Sequence, residues 1–238
     1  MKALLCAAKS WMSAHPRIAA VLRRDDNEFA GAAADLEKTV WVSPAAIRFK
    51  LKSVPIIALR SNNIQSGDWD LDRRNIEESA KFHSMMQHFR DGLDWEKTDI
   101  FKRYATRLEC GEVIRRCRTI AELKVAYRND MNELYGSLVR NGFLIHQARK
   151  KKRSDLPHVY IARDGEIIFG SEGNHRLAIA RLLNIEKIPC RVMGRHADWQ
   201  ARRDGLSRMN LDARRRALIP NLVDHPDLQD LLDPGAAA

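Results

Sequence analysis

Ile167-Ile168-Phe169-Gly170-Ser171-Glu172-Gly173-Asn174-His175-Arg176-Leu177-Ala178-Ile179-Ala180-Arg181-Leu182-Leu183-Asn184, followed shortly by Ile188-Pro189-Cys190-Arg191-Val192, decides the fold of this chain. The first three residues are β-branched or aromatic and read as a buried strand. Two glycines punctuate the polar loop that follows. Residues 177–184 are almost wholly apolar and predict a buried helix, and residues 188–192 predict another strand. Strand, loop, helix and strand in that order imply a βαβ crossover, which is right-handed in nearly all cases.

The loop between the first strand and the helix carries the chemistry. Gly170 and Gly173 let the backbone turn sharply and approach a ligand. A helix N-terminus offers unbonded N–H groups and a partial positive charge. His175 and Arg176 fall in that first turn, where a cation costs about 0.3–1 kcal/mol. A bound phosphate reverses the sign, because amides, imidazole and guanidinium then converge on one anion. The bland alternative pairs these side chains with Glu172 or another acid and closes the loop. Glu172 itself fits ordinary capping, a general base or a magnesium contact.

Outward from the loop, Arg163-Asp164-Gly165 separates two β-rich runs, 158–162 and 166–169, and predicts a hairpin. Thr119-Ile120-Ala121-Glu122 has capping-box spacing and opens a long helix that Asn141-Gly142 stops, with a strand starting at Phe143. Helical periodicity is read over 73–90 and 95–110, with Gly92 just past the first. Short strands are expected at 40–42 and 54–59, and Ser43-Pro44 before a brief helical turn over 45–49. Residues 1–38 read as helical, as does the basic stretch beyond Gly194.

The chain has 238 residues, 30% of them charged, and a net charge of +10. That balance favours phosphorylated or polyanionic partners and says nothing about fold. Arg149 to Arg153 is an unbroken cationic run, and Arg214-Arg215-Arg216 is a shorter one; both are read first as solvated faces. Cys6, Cys110, Cys117 and Cys190 form no CxxC pair and fit reduced thiols in a cytoplasmic protein, so no metal site is expected from them. No apolar run approaches the roughly 20 residues of a transmembrane span. The N-terminal stretch is read as a docked amphipathic helix rather than an export signal.

The segment Asp164 to Gly170, then Gly173-Asn174-His175-Arg176-Leu177-Ala178-Ile179-Ala180 and Ile188-Pro189-Cys190-Arg191-Val192, resembles the core of the ParB/sulfiredoxin superfamily. There a strand enters a Gly-x-His-Arg loop, a buried helix and an "Ile-Pro-x-x-Val" strand. Residues Met131 to Leu144 resemble the family's "Leu-x-x-Ser-Ile/Leu-x-x-x-Gly" helix, with Ser137 at the serine position, and 40–47 its opening strand. The resemblance covers about 131–194 within a domain of 39–194. It implies an α/β (α+β) fold: a small mixed sheet with the βαβ phosphate-loop unit. Around this core lie a helical insertion at about 61–118, a helical N-terminal extension at 1–38 and a basic helical C-terminal extension at 195–238.

Members bind ATP, ADP or CTP with this loop, and some transfer phosphate, including onto free serine. The resemblance therefore implies a nucleotide cofactor, ATP or another, with magnesium. It assigns phosphate binding to Gly170, Gly173, Asn174, His175, Arg176 and Ser137. Sulfiredoxins need cysteine where this chain has Asn174, which argues against their chemistry. Partition proteins carry two further domains, and the roughly 45 residues after Val192 are too few for both. Glu172-Gly173-Asn174-His175-Arg176 fits the serine-kinase-like members best, so phosphotransfer to a small hydroxyl-bearing acceptor is the expectation.

In Gly67-Asp68-Trp69-Asp70 the two carboxylates are candidates, with Glu172, for catalytic or metal roles at the site mouth, and Trp69 for base stacking. A turn anchored by a buried tryptophan fits equally. From other classes come a non-catalytic nucleic-acid-binding protein using 149–153 and the arginines of 202–216, and a nucleotide-gated interaction protein without turnover.

Overall fold

The Asp164-Gly165 turn makes the expected hairpin. Gly165 takes φ +94°, its N–H donates to Ala162 O at 3.0 Å, and the Ala162 N–H donates to Glu166 O at 2.9 Å. This pairs β5 (His158–Ile161) antiparallel with β6 (Ile167–Phe169), Tyr160 opposite Ile168. The computed structural model describes residues 39–53, 64–143, 156–218 and 221–232. The expectations for 1–38, 54–59 and the run 149–153 lie outside these residues.

Around the hairpin the described residues build a mixed open sheet. Strand β7 (Ile188–His196) runs parallel to β5 on its other edge, with a register shift between Val159 and Tyr160. The outer edge of β7 is shared. β1 (Thr39–Val42) pairs antiparallel with its first half, and β3 (Ile64–Gln65) runs parallel to its end. Beyond β6, β2 (Phe49–Leu51) pairs parallel and β4 (Arg73–Asn75) closes the edge antiparallel. The order is β1-β7-β5-β6-β2-β4, with β3 beside β7.

This topology corrects the predicted βαβ unit. The strand, loop, helix and strand follow one another as expected, but β5 lies between β6 and β7, which run in opposite directions. The cause is the hairpin. It makes β6 end where β5 begins, and β7 starts at that same end, with Arg191 opposite His158. The helix between them therefore leaves and re-enters one end of the sheet, and the parallel-crossover rule does not govern it.

Helices α1 (Ala80–Phe89), α2 (Asp99–Glu109), α3 (Ile120–Asn141) and α4 (Asn174–Leu182) share the core with one sheet face. Val159, Ile161, Phe169 and Val192 meet Phe82, Met85, Leu123, Tyr127, Leu177 and Ile179 there. The alternate positions Tyr160 and Ile168 join Leu51 on the other face, against Trp69 and Met193. Thr119 caps α3 as predicted, accepting from the Glu122 N–H at 3.2 Å. The Glu122 carboxylate reaches back to the Arg118 N–H at 2.8 Å instead of the cap residue's own. The helix expected from 73 begins only at Ala80, because residues 73–75 pair with β2 and Asn75 caps a short turn over Ile76–Glu78. The predicted insertion thus adds strands as well as helices.

After β7 the chain enters α5 (Ala197–Ser207), α6 (Leu211–Leu218) and α7 (Gln229–Leu232). Cys117 and Cys190 are buried and Cys110 is exposed, all as free thiols. Among the described residues no helix is long and apolar enough to cross a membrane.

Candidate anion-binding site

Loop 170–173 is stitched to the start of β5. The Gly170 N–H donates to His158 O at 2.8 Å, and the His158 N–H donates to Glu172 O at 3.1 Å. Glycine is required at 173: φ is +87°, and a Cβ there would lie 2.5 Å from Pro157 Cα. At 170 a Cβ would meet the Tyr160 ring at 2.7 Å. Gly173 is the N-cap of α4 and offers no side-chain acceptor to the first-turn amides. Its carbonyl accepts the first helical bond, from the Leu177 N–H at 3.0 Å.

The side chains of that turn take distinct roles. Asn174 is buried and closes the loop, its Nδ2 donating to Ser171 O at 3.0 Å and its Oδ1 accepting from Lys50 Nζ at 3.2 Å. His175 is half-buried, with Nε2 3.3 Å from the Tyr127 hydroxyl. Burial first, then the charges of Arg115, Lys81 and Arg176, push its imidazolium down to about 3. It is neutral at pH 7, so it can meet an anion as a hydrogen-bonding group and not as a charge. Arg176 is half-buried beside it, and Glu172 is exposed on the loop.

Cations from separate elements gather here, and sequence reading missed most of them. Lys50 on β2 lies over the Phe169 ring at 5.4 Å, and Arg74 on β4 is its direct cross-strand neighbour. Like charges opposite one another weaken a sheet. Burial, then Lys81 and Arg74, lower the Lys50 ammonium to about 8, against the opposing pull of Glu172. Lys81 lies on α1 and acts on both Lys50 and His175. Arg115, in the turn before α3, sits over the Tyr127 ring at 5.2 Å and bonds Asp130 at 2.5 Å. Among the described residues, the charges that act on Lys50 and His175 are thus mostly positive, Arg74, Lys81, Arg115 and Arg176 against Glu172 and Asp130. Only strand register could have revealed Lys50 and Arg74: Lys50 is the one polar residue of a three-residue strand, and Arg74 sits in a strand that is polar throughout.

Other candidates fall elsewhere. Ser137 is half-buried on α3, ten residues beyond Tyr127, about 15 Å of helix rise from the contact with His175. Asp68 and Asp70 are not at the loop. They hold Arg163 at the hairpin end of β5, with Asp68 Oδ1 and Asp70 Oδ1 each 2.7 Å from its NH2 nitrogen. Asp70 is 1% exposed. Against the upward push of burial, the Arg163 bonds keep its carboxyl below the usual range. The reason is the hairpin again: Arg163 follows β5, whereas the glycine loop adjoins its start. Trp69 is a half-buried anchor, donating from Nε1 to Gln65 O at 3.0 Å and packing edge-on against Tyr160. Arg203 and Arg214 bond internally, Arg203 to Asp230 at 2.7 Å and Arg214 to Leu206 O at 2.8 Å. No cluster of three or more histidine, cysteine or acidic side chains able to hold a metal occurs among the described residues.

No protein-family model, curated protein or solved structure matches this chain.

Proposed function

We propose that this protein binds a nucleotide through its phosphates at loop 170–176, in the manner of the ParB/sulfiredoxin proteins that the loop resembles, and passes a phosphoryl group to a small hydroxyl-bearing acceptor. The observation that carries the reading is the surplus of cations around the first turn of α4. Such a gathering is costly when empty and favourable around a polyanion. Arg176 supplies a guanidinium, the first-turn amides supply donors, and neutral His175 supplies a hydrogen bond. Charge neutralisation and positioning of this kind carry most of the rate in phosphoryl transfer. Magnesium in such sites is held mainly by the phosphates with one or two carboxylates. Glu172, exposed on the loop, is the residue for that contact or for accepting the acceptor's proton.

Binding without turnover is favoured by one observation: Asp68 and Asp70 are locked to Arg163, leaving Glu172 the only carboxylate in the loop itself. Thermal-shift measurements with ATP, ADP, CTP and GTP plus magnesium test the first step. At least one nucleotide is expected to stabilise the wild type, and Arg176→Ala to abolish the shift. A panel in which no nucleotide stabilises the wild type sinks the proposal. Product formation with a hydroxyl acceptor then separates the readings: the wild type forms product and Glu172→Gln does not if the protein is a phosphotransferase, and neither forms it if the protein only binds.

A further inference from the structure

The segment between α2 and α3 is a tight turn with left-handed backbone. Ile114 and Cys117 form an antiparallel bridge with bonds of 3.0 and 2.8 Å, and both are buried. Between them Arg115 and Arg116 take φ of 52° and 68°, left-handed backbone that disfavours residues with a Cβ. Arg115 lies over Tyr127 at 5.2 Å and bonds Asp130, and Tyr127 in turn reaches His175 Nε2 at 3.3 Å. The Arg115 charge is the largest single charge acting on His175. A contact path therefore runs from this turn into the first turn of α4.

We infer that Arg115 is a further anion-gripping residue of the loop, held by Asp130 when the site is empty and transferred to phosphate oxygens when a nucleotide is present. The inference rests on the proposed phosphate reading of the loop. A guanidinium presents several donors in a planar fork that suits phosphate bidentately. Its present partner is weak: Asp130 is about half exposed on α3, and an exposed ion pair contributes little. A phosphate at α4 would meet Arg115 in the combined field of Lys81 and Arg176, which already presses on His175. The ligand class is a multiply charged phosphate, because a monoanion leaves most of that charge uncompensated.

The test uses the full chain and isothermal titration with ATP and with inorganic pyrophosphate. Arg115→Gln is expected to weaken both by about tenfold or more, the usual effect of losing a charged hydrogen bond, and Arg115→Lys to restore part of the loss. Asp130→Asn removes the competing carboxylate and is expected to tighten binding. Arg116→Gln, in the same turn, leaves it unchanged. If Arg115 only staples the turn to α3, Arg115→Gln and Asp130→Asn act in the same direction, and the inference is overturned. It is also overturned if Arg115→Gln binds like the wild type while Arg176→Ala does not. If the wild type binds neither probe, the loop reading itself fails.

Discussion

The two ends of the β5–β6 hairpin use similar residues to opposite effect. At the turn end Arg163, Arg195 and Arg203 each meet an acid. Arg163 is held by Asp68 and Asp70, Arg195 donates to Asp227 at 2.9 and 2.7 Å, and Arg203 bonds Asp230. His225 Nε2 bonds Gly165 O at 2.8 Å, and Trp199 Nε1 bonds Asp227 Oδ2 at 2.9 Å. At the loop end, Lys50 has an amide oxygen for a partner, and Arg74 lies directly across from it. Charge matched internally makes structure, and the cationic balance at the loop end is what the proposed phosphate reading rests on.

The largest effect should come from the matched end. Asp227 is 0% exposed, so Asp227→Asn leaves the buried Arg195 without its counter-charge. A loss of about 3–5 kcal/mol is expected in urea denaturation. Next comes Gly173→Ala, where the left-handed φ alone costs roughly 1–2 kcal/mol and the new Cβ must displace Pro157. Both stability and nucleotide response should fall, and a variant with wild-type stability would refute the glycine argument.

The smallest effect has the opposite sign. Lys50→Met removes a cation the empty site does not tolerate well, so the ligand-free protein should become more stable while nucleotide binding weakens. If Lys50→Met instead destabilises as Asp227→Asn does, the contrast between the ends collapses. The same residue sets a pH dependence. Its folded pKa of about 8 lies below the ordinary 10.5, so the unfolded chain holds the proton in that window. The cost of charged Lys50 is fully present below pH 8, and stability of the empty protein from this group rises as pH climbs toward 10.5. An arriving phosphate favours the ammonium, so binding near pH 9 should take up protons, measurable as a buffer-dependent enthalpy.

Local chemistry was readable where it is self-contained. Thr119 announced α3, Asp164-Gly165 announced the hairpin, and the apolar run after Arg176 announced the buried α4. What the sequence could not show was set by partners distant in the chain. Residues 73–75 join the sheet because β2 lies beside them, and β5 enters between β6 and β7 by pairing with both. The site followed the same division. Gly173, His175 and Arg176 are contiguous and were legible, whereas Lys50, Lys81 and Arg115 arrive from three other elements. Asp68 and Asp70 were candidates for the site mouth beside an equal reading as a turn, and nothing in the sequence says that Arg163 binds them.

Arg181, at the far end of α4, donates to Pro44 O at 2.9 Å and Ile47 O at 2.5 Å, while Lys50 reaches Asn174 at the near end. One short stretch of chain, 44–50, thus grips the helix like a calliper at both tips. The spacing between the first-turn amides of α4 and Lys50 is then fixed during folding. On the proposed reading this part of the cradle needs little reordering when a phosphate arrives, so association should be governed by diffusion and charge steering, with salt slowing entry far more than it hastens departure.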